Sequence, residues 1–180
     1  MPFPAVFLDR DGIINRAIVR EGKPYPPGCL AEVDIIPGSA AWMLKLSTAG
    51  YILIGITNQP DVARGKQTRL EVEKINEHLQ LQLPIREIFV CYHDDEDRCE
   101  CRKPKPGLIL QAAQKYNLDL SHSWMVGDRW KDIAAGQAAG LKTIFVDYRY
   151  TESYRGSPAS FTVENTSEMA EIIRGFYEKS

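Results

Sequence analysis

The apolar positions of this 180-residue chain fall into short continuous runs, separated by longer stretches in which they recur at helical spacing. The runs at 5–8, 51–56, 87–90, 123–127 and 143–147 read as strands, 5–8 as a short buried one and the near-continuous 51–56 as a central parallel strand covered on both faces. Between them, Thr68-Arg69-Leu70-Glu71 is a capping box that opens a helix over 69–82, with Val72, Ile75 and Leu79 inward. Pro37-Gly38-Ser39 opens another running to about Ala49, with Ala40, Met43, Leu44 and Ser47 toward one side and Gly50 as its stop. A third helix spans 107–116 with Ile109, Ala112, Ala113 and Tyr116 on one face, and a fourth starts at Asp132 and stops at Gly140. Its small residues, Ala134 to Ala139, let it lie close on a sheet. Residues 161–163 read as an edge strand and 167–177 as a final amphipathic helix. Strands alternating with helices at this period predict an α/β fold, a parallel sheet with helices on both faces, formed by 1–180 as one domain.

The strand ends carry the candidate chemistry. The first run stops in Asp9-Arg10-Asp11-Gly12, two acids spaced two apart with a glycine behind them. Side chains at the carboxyl edge of a parallel sheet converge on one crevice, where such a pair can hold a hard cation or divide nucleophilic and proton-transfer work. The second run ends in Thr57-Asn58-Gln59, a hydroxyl and amides that either donate to phosphoryl oxygens or cap a turn. The fourth ends in Asp128-Arg129-Trp130-Lys131-Asp132. Asp128 can complete the cation site begun by Asp9, while Asp132 can pair with Lys103 or cap the helix that it opens. Residues 15–37, rich in Gly and Pro, read as a long loop beside the site with a hairpin tip at Glu21-Gly22-Lys23, and 148–158 as a polar loop.

Charge changes this picture only locally. With 22 basic and 24 acidic residues the net charge is -2, so nothing marks a nucleic-acid or anionic-membrane surface. An anionic substrate needs a local cluster of cations. Arg102-Lys103-Pro104-Lys105-Pro106 supplies one, stiffened by two prolines, and Arg64 and Lys66 are either phosphate contacts or a solvated loop. No run is long enough to span a membrane and no signal-type start is seen, which predicts a cytoplasmic protein. Of the 4 cysteines, three lie in Cys91-Tyr92-His93 through Cys99-Glu100-Cys101. Three thiolates and an imidazole match a closed structural zinc site, which would clamp Arg102 and Lys103 against the crevice.

These motifs in this order, Asp9-Arg10-Asp11-Gly12, Thr57-Asn58, Lys103 with its prolines, and Gly127-Asp128 through Asp132, resemble the haloacid dehalogenase-like phosphohydrolases. The resemblance runs from Phe7 to about Asp147. The Cys-X-His and Cys-X-Cys pairs, with Thr57-Asn58-Gln59 and Ala63-Arg64-Gly65, are similar to the small capless branch that includes heptose bisphosphate and histidinol-phosphate phosphatases. The resemblance implies a Rossmann-like core, a structural Zn2+ and a catalytic Mg2+ held by the Asp9 carboxylate, the Asp11 backbone carbonyl and Asp128. It implies Asp9 as nucleophile and Asp11 as general acid and base, with Thr57 and Lys103 holding phosphoryl oxygens. Asn58, Gln59, Arg64, Arg102 and Arg129 are the further expected substrate contacts. The expected substrate is a small phosphorylated metabolite, a sugar phosphate foremost, acted on by a monomer; alternatives are histidinol phosphate, a polynucleotide 3′-phosphate and an inactive scaffold. The loop after Asn15 reads Arg16-Ala17-Ile18-Val19-Arg20, without the Asp-His-Gly-Tyr type of segment by which heptose phosphatases contact their sugar, and the zinc loop is shorter.

Overall fold

The structure, a computed structural model, describes residues 2–152 and 156–177, with Tyr177 described in its backbone only. Six strands form one parallel sheet: β1 (Phe3–Leu8), β4 (Ile52–Asn58), β5 (Glu87–Cys91), β6 (Leu118–Gly127), β7 (Lys142–Val146) and β8 (Phe161–Val163). Their spatial order is β5-β4-β1-β6-β7-β8. The chain builds outward from β1 to β5, then returns across β1 and builds the other way from β6. Strand β1 is therefore central, pairing Leu8 with Gly55 on one side and with Val126 on the other. The crevice beyond its carboxyl end, between two strands that leave in opposite directions, is the topological switch point at which open sheets bind ligands.

Alternation along β1 sorts the core into two layers. Val6 and Leu8 join the layer covered by α1 (Ser39–Thr48), α2 (Arg69–Gln82) and α5 (Thr166–Tyr177). Ala5 and Phe7 join the layer covered by α3 (Gly107–Tyr116) and α4 (Trp130–Ala138). Both faces of the sheet are apolar, as the continuous runs predict. The Thr68 side chain accepts from Glu71 N and caps α2, whose Val72, Ile75 and Leu79 are buried. The face of α1 differs from expectation. Trp42, Met43 and Leu46 are buried with Ser39, whereas Ala40 and Ser47 are exposed and Leu44 is 60% exposed. A helix buries one stripe, and the indole of Trp42 with Leu46 bury more apolar surface than the stripe through Leu44.

The segment after the site is more ordered than a loop. β2 (Ile18–Arg20) and β3 (Lys23–Tyr25) pair antiparallel. Glu21 and Gly22 join them with φ of 51° and 73°, the positive values of a two-residue hairpin turn. Thr151 N donates to Gly22 O at 3.0 Å and so ties the hairpin tip to the loop after β7. The polar loop expected at 148–158 lies partly outside the described residues. No helix among the described residues is long and apolar enough to cross a membrane.

Candidate active site

Asp9, Thr57 and Asp128 come from the ends of β1, β4 and β6, and the sheet brings them to one point. Asp9, Asp128 and Asp132 are all buried, and each offers a carboxylate oxygen within 4.8 Å of the others. Lys103 Nζ lies among them, 2.6 Å from Asp9 Oδ1, 2.6 Å from Asp132 Oδ1 and 2.8 Å from Ile56 O. Asp132 is used up: its Oδ2 accepts from Arg129 N at 3.0 Å, so it both pairs with Lys103 and caps α4. Asp128 is the opposite case: among the described residues no group meets hydrogen-bond geometry to either carboxylate oxygen, and the Tyr150 hydroxyl is the polar group that acts on it from nearby. Gly12, at φ 110°, makes room for it, since a Cβ there would lie 2.0 Å from Asp128 Oδ2.

Three buried carboxylates surround one ammonium, which pairs with two of them; ionising all three would leave two negative charges uncompensated in a low-dielectric crevice. Burial first, then the neighbouring Asp132, pushes the Asp9 carboxyl up to about 7, against the pull of Lys103. Burial, with Asp9 and Asp132, drives Asp128 well above the usual carboxylate range. For Lys103 burial opposes the charge, yet Asp132 and Asp9 outweigh it and hold the ammonium protonated. An orphaned buried carboxylate, a glycine cradle and hard oxygen donors fit one divalent cation of the magnesium type.

Asp11 is held apart from this cluster. Arg10 Nε and Nη2 donate to its two oxygens at 3.0 Å, Asn15 Nδ2 to Oδ1 at 3.0 Å and Gln59 Nε2 to Oδ2 at 2.8 Å. Arg10 is fully buried and anchored by Nη1 to Asn76 Oδ1 of α2 at 3.0 Å. The Asp11 carboxylate is thereby aimed and its side chain stands outside the carboxylate group that can hold the cation. Arg10, Asn15 and Asn76 were not among the sequence-derived site residues. The one signal was a charged residue flanked by two acids at the end of an apolar run.

Asp9, Asp11, Thr57, Asn58, Lys103, Arg129 and Asp132 line a recess of about 60 Å³. Ala17, Pro24, Tyr25 and Pro26, on and beside the hairpin, complete its lining, and no separate cap domain is present among the described residues. The recess opens beside a cleft of about 650 Å³ whose walls include Arg64, Arg102 and Arg129. Two expected substrate contacts also have partners inside the protein. Gln59 is fully buried and donates to Asp11 and to Thr57 Oγ1, the latter at 2.8 Å, so it stands behind the site. Asn58 lines the recess, and its amide also fixes Lys103, accepting from the backbone N–H and donating one N–H to the backbone carbonyl, each at 3.1 Å. Arg64 and Arg102 reach the outer cleft and not the recess. Arg64 is forked onto Asp94 at 2.6 Å, and Arg102 donates to Asp95 Oδ1 at 2.7 Å. Arg129 lines both spaces and is forked onto Glu152 at 2.7 and 2.8 Å, which raises its already high pKa.

Cys91, His93, Cys99 and Cys101 meet at the end of β5. Sulfur to sulfur separations are 3.2 to 3.7 Å, and His93 Nδ1 lies 3.2 Å from Cys101 Sγ and 3.7 Å from Cys91 Sγ. These are too long for a disulfide and suit the edges of a small tetrahedron around one metal ion. The loop also positions its surroundings: Asp94 and Asp95 hold Arg64 and Arg102, and Cys91 O accepts from Gln59 N at 2.7 Å.

Comparison with known proteins agrees with this arrangement. Residues 100–159 match a HAD-hydrolase-like family model. Over 187 residues the chain is 33% identical to a D-glycero-beta-D-manno-heptose-1,7-bisphosphate 7-phosphatase of Pasteurella multocida, covering 95% of this chain and 97% of the relative. It is 35% identical to the Helicobacter pylori protein of the same name, over 94% of this chain and 97% of that one. The crystal structure of D,D-heptose 1,7-bisphosphate phosphatase from B. bronchiseptica, complexed with magnesium and phosphate, superimposes with a TM-score of 0.80 at 28% identity, over 96% of this chain and 99% of that one. The chain belongs to the haloacid dehalogenase-like hydrolases, in the branch that contains the heptose bisphosphate phosphatases.

Proposed function

We propose that this protein is a phosphatase that removes a phosphoryl group from a phosphorylated sugar, D-glycero-D-manno-heptose 1,7-bisphosphate foremost, by way of an aspartyl phosphate on Asp9. The observation that carries the reading is Asp9 itself, a carboxylate that lines the recess, oriented by Lys103 at 2.6 Å and set beside Asp128, whose oxygens have no hydrogen-bond partner among the described residues. A carboxylate oxygen of Asp9 attacks phosphorus, and the bond from phosphorus to the sugar oxygen breaks. Asp11 gives the departing oxygen its proton, then takes one from the water that attacks the phosphoenzyme, which releases phosphate and restores Asp9. Lys103 and the Thr57 hydroxyl hold phosphoryl oxygens as charge develops on them. Arg10, Asn15 and Gln59 act through Asp11, fixing its direction, and Arg129 stands at the mouth.

Asp9, Asp128 and the Asp11 backbone carbonyl would hold Mg2+, which supplies compensating positive charge for two anions brought close together. Cys91, His93, Cys99 and Cys101 would hold Zn2+, fixing the loop that bears Arg102 and Lys103. The deciding experiment is phosphate release with magnesium from the heptose bisphosphate, histidinol phosphate and a 3′-phosphorylated oligonucleotide, with Asp9→Asn as control. Turnover highest on the heptose bisphosphate and lost in the variant supports the reading. A better rate on either other substrate reassigns the substrate, and no Asp9-dependent release from any of them refutes the chemistry.

A further inference from the structure

Asp9 and Asp132 are steadied by Lys103, whereas Asp128, only 2% exposed, meets hydrogen-bond geometry with no described residue through either oxygen. It borders a cavity of about 340 Å³ that Tyr150 also lines, and Tyr150 has no part in the recess over Asp9. The same ring lines a second cavity with Gly12, the residue that leaves Asp128 its room. Its hydroxyl is the polar group that acts on the Asp128 carboxylate from nearby. The chain holds this ring from both ends. Asp147 N donates to Val163 O at 2.8 Å, and Arg149 N donates to Asp147 Oδ1 at 2.8 Å. Arg149, at φ 57°, turns the backbone between Tyr148 and Tyr150, whose rings meet with centroids 5.8 Å apart. Tyr148 packs in turn on the core layer of α1, α2 and α5. Beyond Tyr150, Thr151 N is tied to Gly22 O, and Glu152 accepts from Arg129.

A carboxylate that ligates a cation through one oxygen keeps a second, and a donor on that second oxygen decides where the first one points. Resting on the phosphatase reading, which needs the cation, we infer that Tyr150 is the positioning residue of the cation site: its hydroxyl donates to the Asp128 oxygen that does not ligate Mg2+ and so fixes the one that does. A phenol suits this place better than an ammonium. It keeps its proton at neutral pH and orients the carboxylate without adding a positive charge, whereas a second lysine would neutralise the acids and compete with the metal. Lys103 thus steadies two acids by charge, and Tyr150 steadies the third without it. Because Tyr150 stands outside the recess, it sets how tightly the cation is held and not the rate of the step once the cation is in place.

The test is calorimetric titration of the full chain with Mg2+ in the wild type, in Tyr150→Phe and in Tyr148→Phe, paired with phosphate release at graded Mg2+. Tyr150→Phe keeps the ring and removes only the hydroxyl. Its affinity for Mg2+ falls by roughly 10–100-fold, the range for a ligand that loses its support. The half-saturating Mg2+ rises by the same factor, while kcat at saturating Mg2+ and the thermal midpoint of the metal-free protein stay as they are. Tyr148→Phe, which takes the hydroxyl from the neighbouring ring, retains the wild-type affinity. Equal affinities in the wild type and Tyr150→Phe overturn the inference and leave the phosphatase intact. An equal fall in both tyrosine variants also overturns it, since the pair would then act by packing alone. Absence of phosphate release, with affinities that still separate Tyr150→Phe from the other two, refutes the phosphatase reading and upholds this one.

Discussion

The protein carries two clusters able to hold a metal, and they are built by opposite means. Asp9 lies more than a hundred residues from Asp128 and Asp132, and the sheet brings the three buried carboxylates together. The Cys91, His93, Cys99 and Cys101 set lies within eleven residues and is partly exposed, assembled by one loop. The first is a product of the fold and stays in place without its ion, because Lys103 and the strand ends hold it. The second organises its own surroundings, because the loop has a 3-10 turn and few buried side chains to order it otherwise. Loss of the ion should therefore silence one cluster and loosen the other.

Lys103→Ala breaks the contrast most severely. It strands Asp9 and Asp132 without their shared cation, so a loss of about 3–5 kcal/mol of stability is expected together with loss of turnover. Denaturant unfolding measures the first, and an unchanged midpoint would mean that the carboxylates protonate at no cost. Asp9→Asn should abolish turnover as completely while leaving the metal-free protein as stable or more so, because it removes one buried charge; a lowered thermal midpoint would contradict this.

Gly12→Ala sharpens the same point from the backbone side. The new Cβ meets Asp128, so magnesium affinity should fall by roughly 10–100-fold, the range seen when a ligand's supports are disturbed. Titration calorimetry reads it directly. Stripping the soft cluster with a chelator should lower activity by about tenfold through the loop, with the β1 to β4 amides keeping their slow hydrogen exchange. Fast exchange across the sheet would show the loop to be part of the core.

The smallest effect is a pH slope. The folded-state carboxyl of Asp9 lies near 7, above its ordinary 3.8, so between those values the folded state binds more protons than the unfolded one. The metal-free protein should then lose stability as pH rises through 4 to 7, and saturating magnesium should flatten that dependence. A stability that climbs over this window without metal would place the compensating charge elsewhere.

What the sequence made legible follows the same division. The soft cluster and the α2 and α3 boundaries were readable because each depends on neighbours within a few turns of chain, as the Thr68 cap of α2 does. The acids at strand ends were readable because a parallel sheet gathers its carboxyl edge whatever lies between the strands. What escaped depends on partners met only after folding. Gln59 turns inward because Asp11 and Thr57 await it there, and Asn58 fixes the backbone of a residue 45 positions away. Arg10 finds Asn76 across 66 residues, and α1 turns Leu44 outward because Trp42 had the better place.

Placing β1 at the middle of the sheet has a consequence for synthesis. The strand that bears Asp9 is made before both of its sheet partners, β4 and β6, and β6 ends at Gly127. At about 5–20 residues per second, the apolar Ala5 to Leu8 segment waits roughly 6–24 s on the ribosome with at least one edge unpaired. Asp9 is synthesised well before the neighbours that bury it, and the pocket around it can close only once β6 and the start of α4 have emerged.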